Sequence, residues 1–205
     1  MNDAELGGNW NFPTSITAGA GTIDQLPDCC MQLGIRAPLL ITDPGLAALP
    51  MLKQILLRCR AAGVNVGVFS DIKSNPTGQN VMDGVSAFSA GDHDGVIAFG
   101  GGSAIDASKA IALMSSQTGS LWDFEDFGEN WRRVDEASIA RIIAVPTAAG
   151  AGSEVGRAAL IIGLAHLLRI DTCGRQRPSD SYDPQPTSDH HHKHSTPNLF
   201  TVYHG

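Results

Sequence analysis

The stretch that decides the fold reads VIAFGGGSAIDASKA over residues 96–110. Four apolar residues suited to a buried strand run directly into three glycines, and the residues that follow have a helical pattern. Glycines let an anion approach the backbone closely, and the first N–H groups of a helix have no partner within the helix. A strand, a glycine turn and a helix in this order therefore predict an anion-binding turn of the kind that holds a phosphate or a dinucleotide pyrophosphate.

The same turn also has a purely structural interpretation. Ser103 and Asp106 have the S-x-x-D spacing of a capping box, in which case the glycines only make a tight turn between strand and helix. The spacing is not the G-x-G-x-x-G of ordinary dinucleotide-binding folds, because Ile105 occupies the place of the last glycine. Both interpretations stay open from these residues alone.

Apolar runs alternate with helical patterns on both sides of this turn, up to about residue 160. Buried strands are expected at residues 38–42, 65–70, 95–99 and 141–145, and helices at residues 44–62, 79–90 and 103–114. Pro44 suits the first turn of its helix, and Gly63 suits the C-terminal cap. Continuous apolar strands separated by helices are typical of a parallel sheet covered on both faces, so the sequence predicts an α/β fold. Residues 16–21 can add a strand and a helix at the edge.

A second glycine-rich turn, VPTAAGAGSEV over residues 145–155, follows the fourth predicted strand. Turns at the carboxyl ends of neighbouring parallel strands face one crevice, where ligands of open α/β sheets bind. Asp43 ends the first of the predicted strands, where a carboxylate can accept hydrogen bonds from ribose hydroxyls. It is equally suited to a turn or to the start of the helix at Pro44.

Composition and charge exclude several classes of protein. The chain carries 14 Lys and Arg against 21 Asp and Glu, a formal net charge of −7, and so lacks the basic balance of a nucleic-acid binder. No apolar run approaches the roughly 20 residues needed to cross a bilayer, and the N-terminus does not read as a secretory signal. We expect a cytoplasmic protein whose four cysteines are reduced, mostly buried thiols.

The character of the chain changes at its C-terminal end. Residues 171–205 contain four prolines and five histidines but few apolar or aromatic side chains. So little apolar surface cannot offset the entropy of ordering the chain, and most of this stretch is predicted to be disordered. The sequence therefore divides into an α/β domain at residues 1–162 and a low-complexity tail at residues 163–205.

The two glycine turns, together with DPGL at residues 43–46 and NPT at residues 75–77, resemble the N-terminal half of the iron-containing, group III alcohol dehydrogenase family. The resemblance covers residues 12–160. It implies a parallel, Rossmann-like sheet flanked by helices that holds NAD(H), with NADP(H) as the alternative. It also implies hydride transfer between this cofactor and a small alcohol or aldehyde, and a homodimer formed through the cofactor domain.

The resemblance also implies roles for individual residues. It places the turn Gly100-Gly101-Gly102-Ser103 on the pyrophosphate and Asp43 near the adenosine ribose, where a carboxylate favours NAD over NADP. Asp106 either contacts the cofactor or caps the helix. The other positions expected at the cofactor are Asn75, Thr147, Ala148 and Ser153. The family usually has Thr-Thr at residues 147–148 and Thr in place of Ala151. Each of the two missing hydroxyls is expected to weaken binding by about 0.5 to 1.5 kcal/mol without abolishing it.

The C-terminal helical domain of the family, with the Asp and three His that bind divalent iron, is not matched. We expect a truncated product, with a frameshift near residue 160 as one origin, that binds the cofactor but turns over little or nothing, since no Lewis acid polarises the alcohol. No catalytic residue is assigned. No metal ligand is assigned either, because the tract HHHKH at residues 190–194 has helical spacing only between its first and last histidines.

Alternative interpretations are an inactive module for cofactor binding or oligomerisation, and a relative of the maleylacetate reductases or glycerol dehydrogenases. The loop at residues 122–124 either reaches the substrate cleft or anchors a surface loop through its aromatic side chains.

Overall fold

The computed structural model of the chain describes residues 14–19, 21–163, 167–171 and 199–203. The strands within these residues are β1 (Thr14–Ala18), β2 (Pro38–Ile41), β3 (Gly67–Phe69), β4 (Gly95–Gly100), β5 (Arg141–Pro146), β6 (Ala158–Ile162), β7 (Leu167–Asp171) and β8 (Leu199–Tyr203). Six of them form one sheet in the order β1-β8-β5-β4-β2-β3, and β6 pairs with β7 in a separate antiparallel hairpin.

The α-helices of the described residues are α1 (Leu26–Gln32), α2 (Pro44–Ala47), α3 (Pro50–Ala61), α4 (Gly78–Ala90) and α5 (Gly102–Met114). Short 3₁₀ helices occupy Thr22–Gln25, Leu121–Phe124, Asn130–Arg133 and Glu136–Ser138. None of the helices in this part of the chain is both long enough and apolar enough to span a bilayer.

Four strands, β3, β2, β4 and β5, run parallel, and helices cover both faces of this part of the sheet. The predicted α/β class is therefore confirmed. All six residues of the central strand β4 are buried, as its continuous apolar sequence predicted. Successive side chains of β4 alternate between two apolar clusters, one beneath α4 and α5 and the other beneath α1 and α3.

The helix predicted over residues 44–62 is interrupted. Helix α2 ends at Ala47 and α3 begins at Pro50, with Leu49 extended at φ −75° and ψ 139°. The cause is Pro50, because a proline disfavours helical geometry at the residue before it and lacks an N–H to donate to the preceding turn. Gly63 does end the second piece as predicted, with φ +82° in the left-handed region.

The sheet is extended beyond β5 by two strands from the ends of the chain. Strand β8 pairs antiparallel with both β5 and β1, so the edge strand expected near residue 16 is present. The domain boundary drawn at residues 162/163 falls inside the hairpin of β6 and β7, and β8 also lies beyond it. Strands β7 and β8 thus lie within the proposed tail, while residues 172–198, where disorder is predicted, lie outside the described residues.

Three cysteines of the described residues, Cys29, Cys30 and Cys59, are free thiols, as expected. Cys30 and Cys59 belong to the cluster beneath α1 and α3 and are 0% and 1% exposed. Burial raises the pKa of Cys30 to about 12 and that of Cys59 to about 11. Both side chains therefore act as small apolar groups rather than as nucleophiles.

Candidate functional site

The turn between β4 and α5 has a backbone that requires glycine at its first position. Gly100 has φ +153°, and a Cβ placed on it would lie 2.7 Å from the Cβ of Ala104. Gly101 is the N-cap of α5 and offers no side-chain hydrogen bond to the helix. The first N–H groups of a 13-residue helix therefore end in a bare glycine turn, the arrangement that favours anions.

The capping box considered for Ser103 and Asp106 is absent. Helix α5 begins at Gly102, so Ser103 lies inside the first turn and cannot serve as the N-cap. Its hydroxyl instead donates to the carbonyl oxygen of Ser74, across the turn. The side chain of Asp106 is turned into the protein interior, with 6% of the residue exposed.

A cleft of about 860 Å³ opens beside this turn. Three residues of the turn, Gly101, Gly102 and Ser103, line it together with Asp43, so the structure brings four of the predicted site residues to one cavity. Sequence reasoning missed several other residues that line the cleft, namely Asp71, Ile72, Lys73, Gln79, Asn80 and Asp83. The signal that could have found them is their position after β3, at the same edge of the parallel sheet.

Asp43 caps a helix and also lies beside the first glycine turn. Its Oδ1 accepts a hydrogen bond of 3.0 Å from the N–H of Leu46 and so caps α2. Its Oδ2 lies 3.9 Å from the position that a Cβ on Gly100 would occupy. One carboxylate thus starts a helix and borders the glycine turn on the side nearest β2.

The segment that carries Asn75 is fixed at several points. The N–H of Ile162 donates to the carbonyl oxygen of Pro76 at 2.8 Å, and Thr77 forms a capping box with Asn80 at the start of α4. Asn75 itself is exposed and is not among the residues that line the cleft, whereas Ser74 and Thr77 on either side of it are.

The second glycine-rich turn lies directly against the first. The N–H of Thr147 donates to the carbonyl oxygen of Gly100 at 3.0 Å. A Cβ on Gly102 would lie 3.2 Å from the Oγ of Ser153, and a Cβ on Gly101 would lie 4.0 Å from the methyl group of Ala148. The structure therefore brings all three predicted residues of the second turn to the first turn, on the side away from Asp43.

Asp106 is not among the described residues that line the cleft, and it does not cap α5. Its Oδ1 forms an ion pair of 3.1 Å with the ammonium group of Lys109, and its Oδ2 accepts a hydrogen bond of 3.2 Å from the N–H of Leu160. Sequence reasoning missed Lys109. Its signal is a lysine three residues after an acidic residue within the run of small and apolar residues of α5.

The loop at residues 122–124 acts as an anchor. Phe124 is 2% exposed and belongs to the cluster beneath α4 and α5. The ring of Trp122 covers the first residue of α4, since a Cβ on Gly78 would lie 2.6 Å from it. The aromatic side chains thus fix the base of the segment that borders the cleft.

No group of three or more His, Cys, Asp or Glu side chains that could hold a metal ion occurs in the described part of the chain. The histidine tract at residues 190–194 lies outside the described residues. The residues seen in the structure therefore do not fit a metal centre.

Comparison with known proteins gives consistent matches. A sequence model for iron-containing alcohol dehydrogenase matches residues 13–168. The chain is 38% identical over 152 residues to 4-hydroxybutyrate dehydrogenase from Cupriavidus necator, which covers 74% of this chain and 39% of that protein. It is 30% identical over 165 residues to choline dehydrogenase from Bacillus subtilis, which covers 80% of this chain and 40% of that protein.

Solved structures match as well. Sulfoacetaldehyde reductase from Bifidobacterium kashiwanohense, in complex with NAD+, superposes with a TM-score of 0.72 at 25% identity, over 81% of this chain and 43% of that chain. The chain thus spans about two fifths of the length of the relatives it matches.

Proposed function

Because this chain belongs to the iron-containing alcohol dehydrogenase family, we propose that it forms the cofactor half of an enzyme that moves hydride between NAD(H) and a small alcohol or aldehyde. The resemblance inferred from its motifs is confirmed by this family match. The observation that carries the proposal is the bare glycine turn, where the uncapped start of α5 meets a cleft of about 860 Å³. A pyrophosphate fits such a turn because its charge meets unpaired N–H groups and no side chain stands in the way.

The charges of the cleft favour NAD(H) over NADP(H). Three carboxylates, Asp43, Asp71 and Asp83, line it against one cation, Lys73. A ribose hydroxyl can donate to a carboxylate, whereas a 2′-phosphate placed beside the same groups would be repelled. Asp43 is the residue that we assign to the adenosine ribose, because it borders the glycine turn on the side of β2.

The residues on the other side of the turn would hold the rest of the cofactor. Thr147 and Ser153 contribute a backbone contact to Gly100 and a hydroxyl near Gly102, respectively. These residues bind and orient the dinucleotide; the described residues offer no metal centre, so no metal-dependent step is assigned to them. We accordingly expect binding of NADH with little or no oxidation of short alcohols by this chain alone.

The test is a titration of the full chain with NADH, followed by the fluorescence of the bound nicotinamide. We expect saturable binding at one site per chain, with a dissociation constant in the range of about 1 μM to 1 mM that enzymes show for their substrates. Competition by ADP should reverse it, because ADP shares the adenosine and pyrophosphate. A signal that rises linearly to millimolar NADH without saturation would contradict the proposal.

A further inference from the structure

A lysine inside helix α5 ties a distant part of the chain to the helix. Lys109 is 2% exposed. Its ammonium group donates to the carbonyl oxygens of Ser153 at 3.0 Å and Gly156 at 3.2 Å, and also to that of Ala158. A buried ammonium group is very costly unless it is paired and hydrogen-bonded, and here Asp106 supplies the opposite charge at 3.1 Å.

Asp106 adds one more contact between α5 and the same distant segment. Its second oxygen accepts the N–H of Leu160 at 3.2 Å, within β6. The ion pair therefore holds residues 153–160 at four backbone positions, from the end of the second glycine-rich turn into the following strand. None of these contacts lies in the cleft, so the pair does not itself meet the proposed cofactor.

The anchored segment begins at a residue of the site. The Oγ of Ser153 lies 3.2 Å from the position of a Cβ on Gly102, while the carbonyl oxygen of Ser153 is bound by Lys109. Lys109 and Gly102 belong to the same helix, about two turns apart. One rigid helix thus carries both the first turn and the group that fixes the second turn against it.

We propose that the ion pair of Asp106 and Lys109 is a positioning device that sets the spacing of the two glycine-rich turns, and with it the affinity for the part of a dinucleotide that lies beyond its first phosphate. This inference rests on the proposed function. It distinguishes two ligands: AMP needs only the Asp43 side of the cleft and the first turn, whereas NADH needs the second turn as well.

The test compares the dissociation constants of NADH and AMP in the full-length double variant Asp106→Asn, Lys109→Met. The double change leaves no unpaired charge in the interior but removes the donors to the three carbonyl oxygens. We expect the constant for NADH to rise about tenfold while that for AMP changes less than about twofold, as for one lost hydrogen-bonding contact. Partial unfolding would instead weaken both ligands by the same factor. Lys53→Met, on the exposed face of α3, is the matched control and should change neither constant.

A second double variant, Asp106→Asn, Lys109→Gln, keeps the test decisive if circular dichroism shows the first double variant to be unfolded. It also leaves no unpaired charge, retains an oxygen for the N–H of Leu160 and an amide donor at residue 109, and should raise the ratio of the two constants by about threefold. If a folded variant binds NADH and AMP with the same ratio of dissociation constants as the wild-type chain, the positioning role is refuted and the proposed function stands. Failure of the wild-type chain to bind either ligand refutes the proposed function itself.

Discussion

The stability of the protein should respond very differently to the same substitution at two adjacent glycines of the first turn. In Gly101→Ala the backbone is extended, at φ −79° and ψ −172°, and the nearest atom to the new methyl group is the Cβ of Ala148 at 4.0 Å. We therefore expect the free energy of unfolding to change by less than about 1 kcal/mol, since a poorer N-cap offsets a less flexible unfolded chain. In Gly100→Ala the φ of +153° and the 2.7 Å approach to Ala104 should cost about 2 to 6 kcal/mol together.

The affinity for NADH should fall in Gly101→Ala although the stability of this variant changes little. Gly101 lines the cleft and the new methyl group would meet the Cβ of Ala148 only at the contact distance of 4.0 Å, so the methyl group has room to stand where the phosphate would approach. An overlap worth about 2 kcal/mol raises the dissociation constant of NADH about 30-fold. Urea unfolding followed by circular dichroism measures stability, and the NADH titration measures affinity. A folded Gly101→Ala protein that binds NADH as tightly as the wild type would refute the assignment of the pyrophosphate to this turn.

Three further predictions address the cap, the anchor and the buried thiols. Asp43→Asn keeps an oxygen to cap α2 but removes the negative charge. The affinity for NADPH relative to that for NADH should therefore rise about five- to thirtyfold. An unchanged ratio of the two affinities in competition titrations would contradict the role of Asp43. Gly78→Ala should cost about 1 to 3 kcal/mol and shift the fluorescence of Trp122, because the new Cβ would lie 2.6 Å from its ring; a wild-type melting curve and spectrum would disprove the contact. Burial raises the pKa values of Cys30 and Cys59 above the ordinary 9.0. Above about pH 9 the native state therefore keeps two protons that the unfolded chain loses. The free energy of unfolding should then fall by up to about 1.4 kcal/mol per pH unit for each thiol. Urea titrations between pH 8 and about pH 10 would show this slope, and its persistence in the Cys30→Ala, Cys59→Ala variant would argue against these thiols as the cause.

Local patterns predicted most of the fold because the local cause was strong in each case. The central strand reads as an unbroken apolar run because both of its faces are covered, and Gly63 ends a helix because its φ is +82°. The break before Pro50 was readable from the same rules, but the helical pattern on both sides of the proline concealed it.

The site was predictable only where it consists of short motifs. Short motifs in the sequence identify the two glycine turns, whereas the role of Asp106 depends on partners that are far away in the sequence. The same S-x-x-D spacing suits a cap or a buried ion pair, and the carbonyl oxygens that decide between them are 44 to 49 residues from Lys109 in the chain. The polar residues after β3 resemble an ordinary loop until the sheet brings them beside Asp43.

The position of β4 at the centre of the parallel sheet has a consequence for how the protein opens. A strand paired on both sides and buried on both faces exchanges its amide hydrogens only when the whole sheet unfolds, while loops held by a few side chains open locally at a lower free energy. The first glycine turn continues directly from this buried strand, and the second depends on Lys109 for much of its anchoring. Local opening should therefore release the second turn while the first stays in place. A bound dinucleotide should slow hydrogen exchange around Ser153 by suppressing local opening, and should slow that of β4 only by the free energy that binding adds to global unfolding.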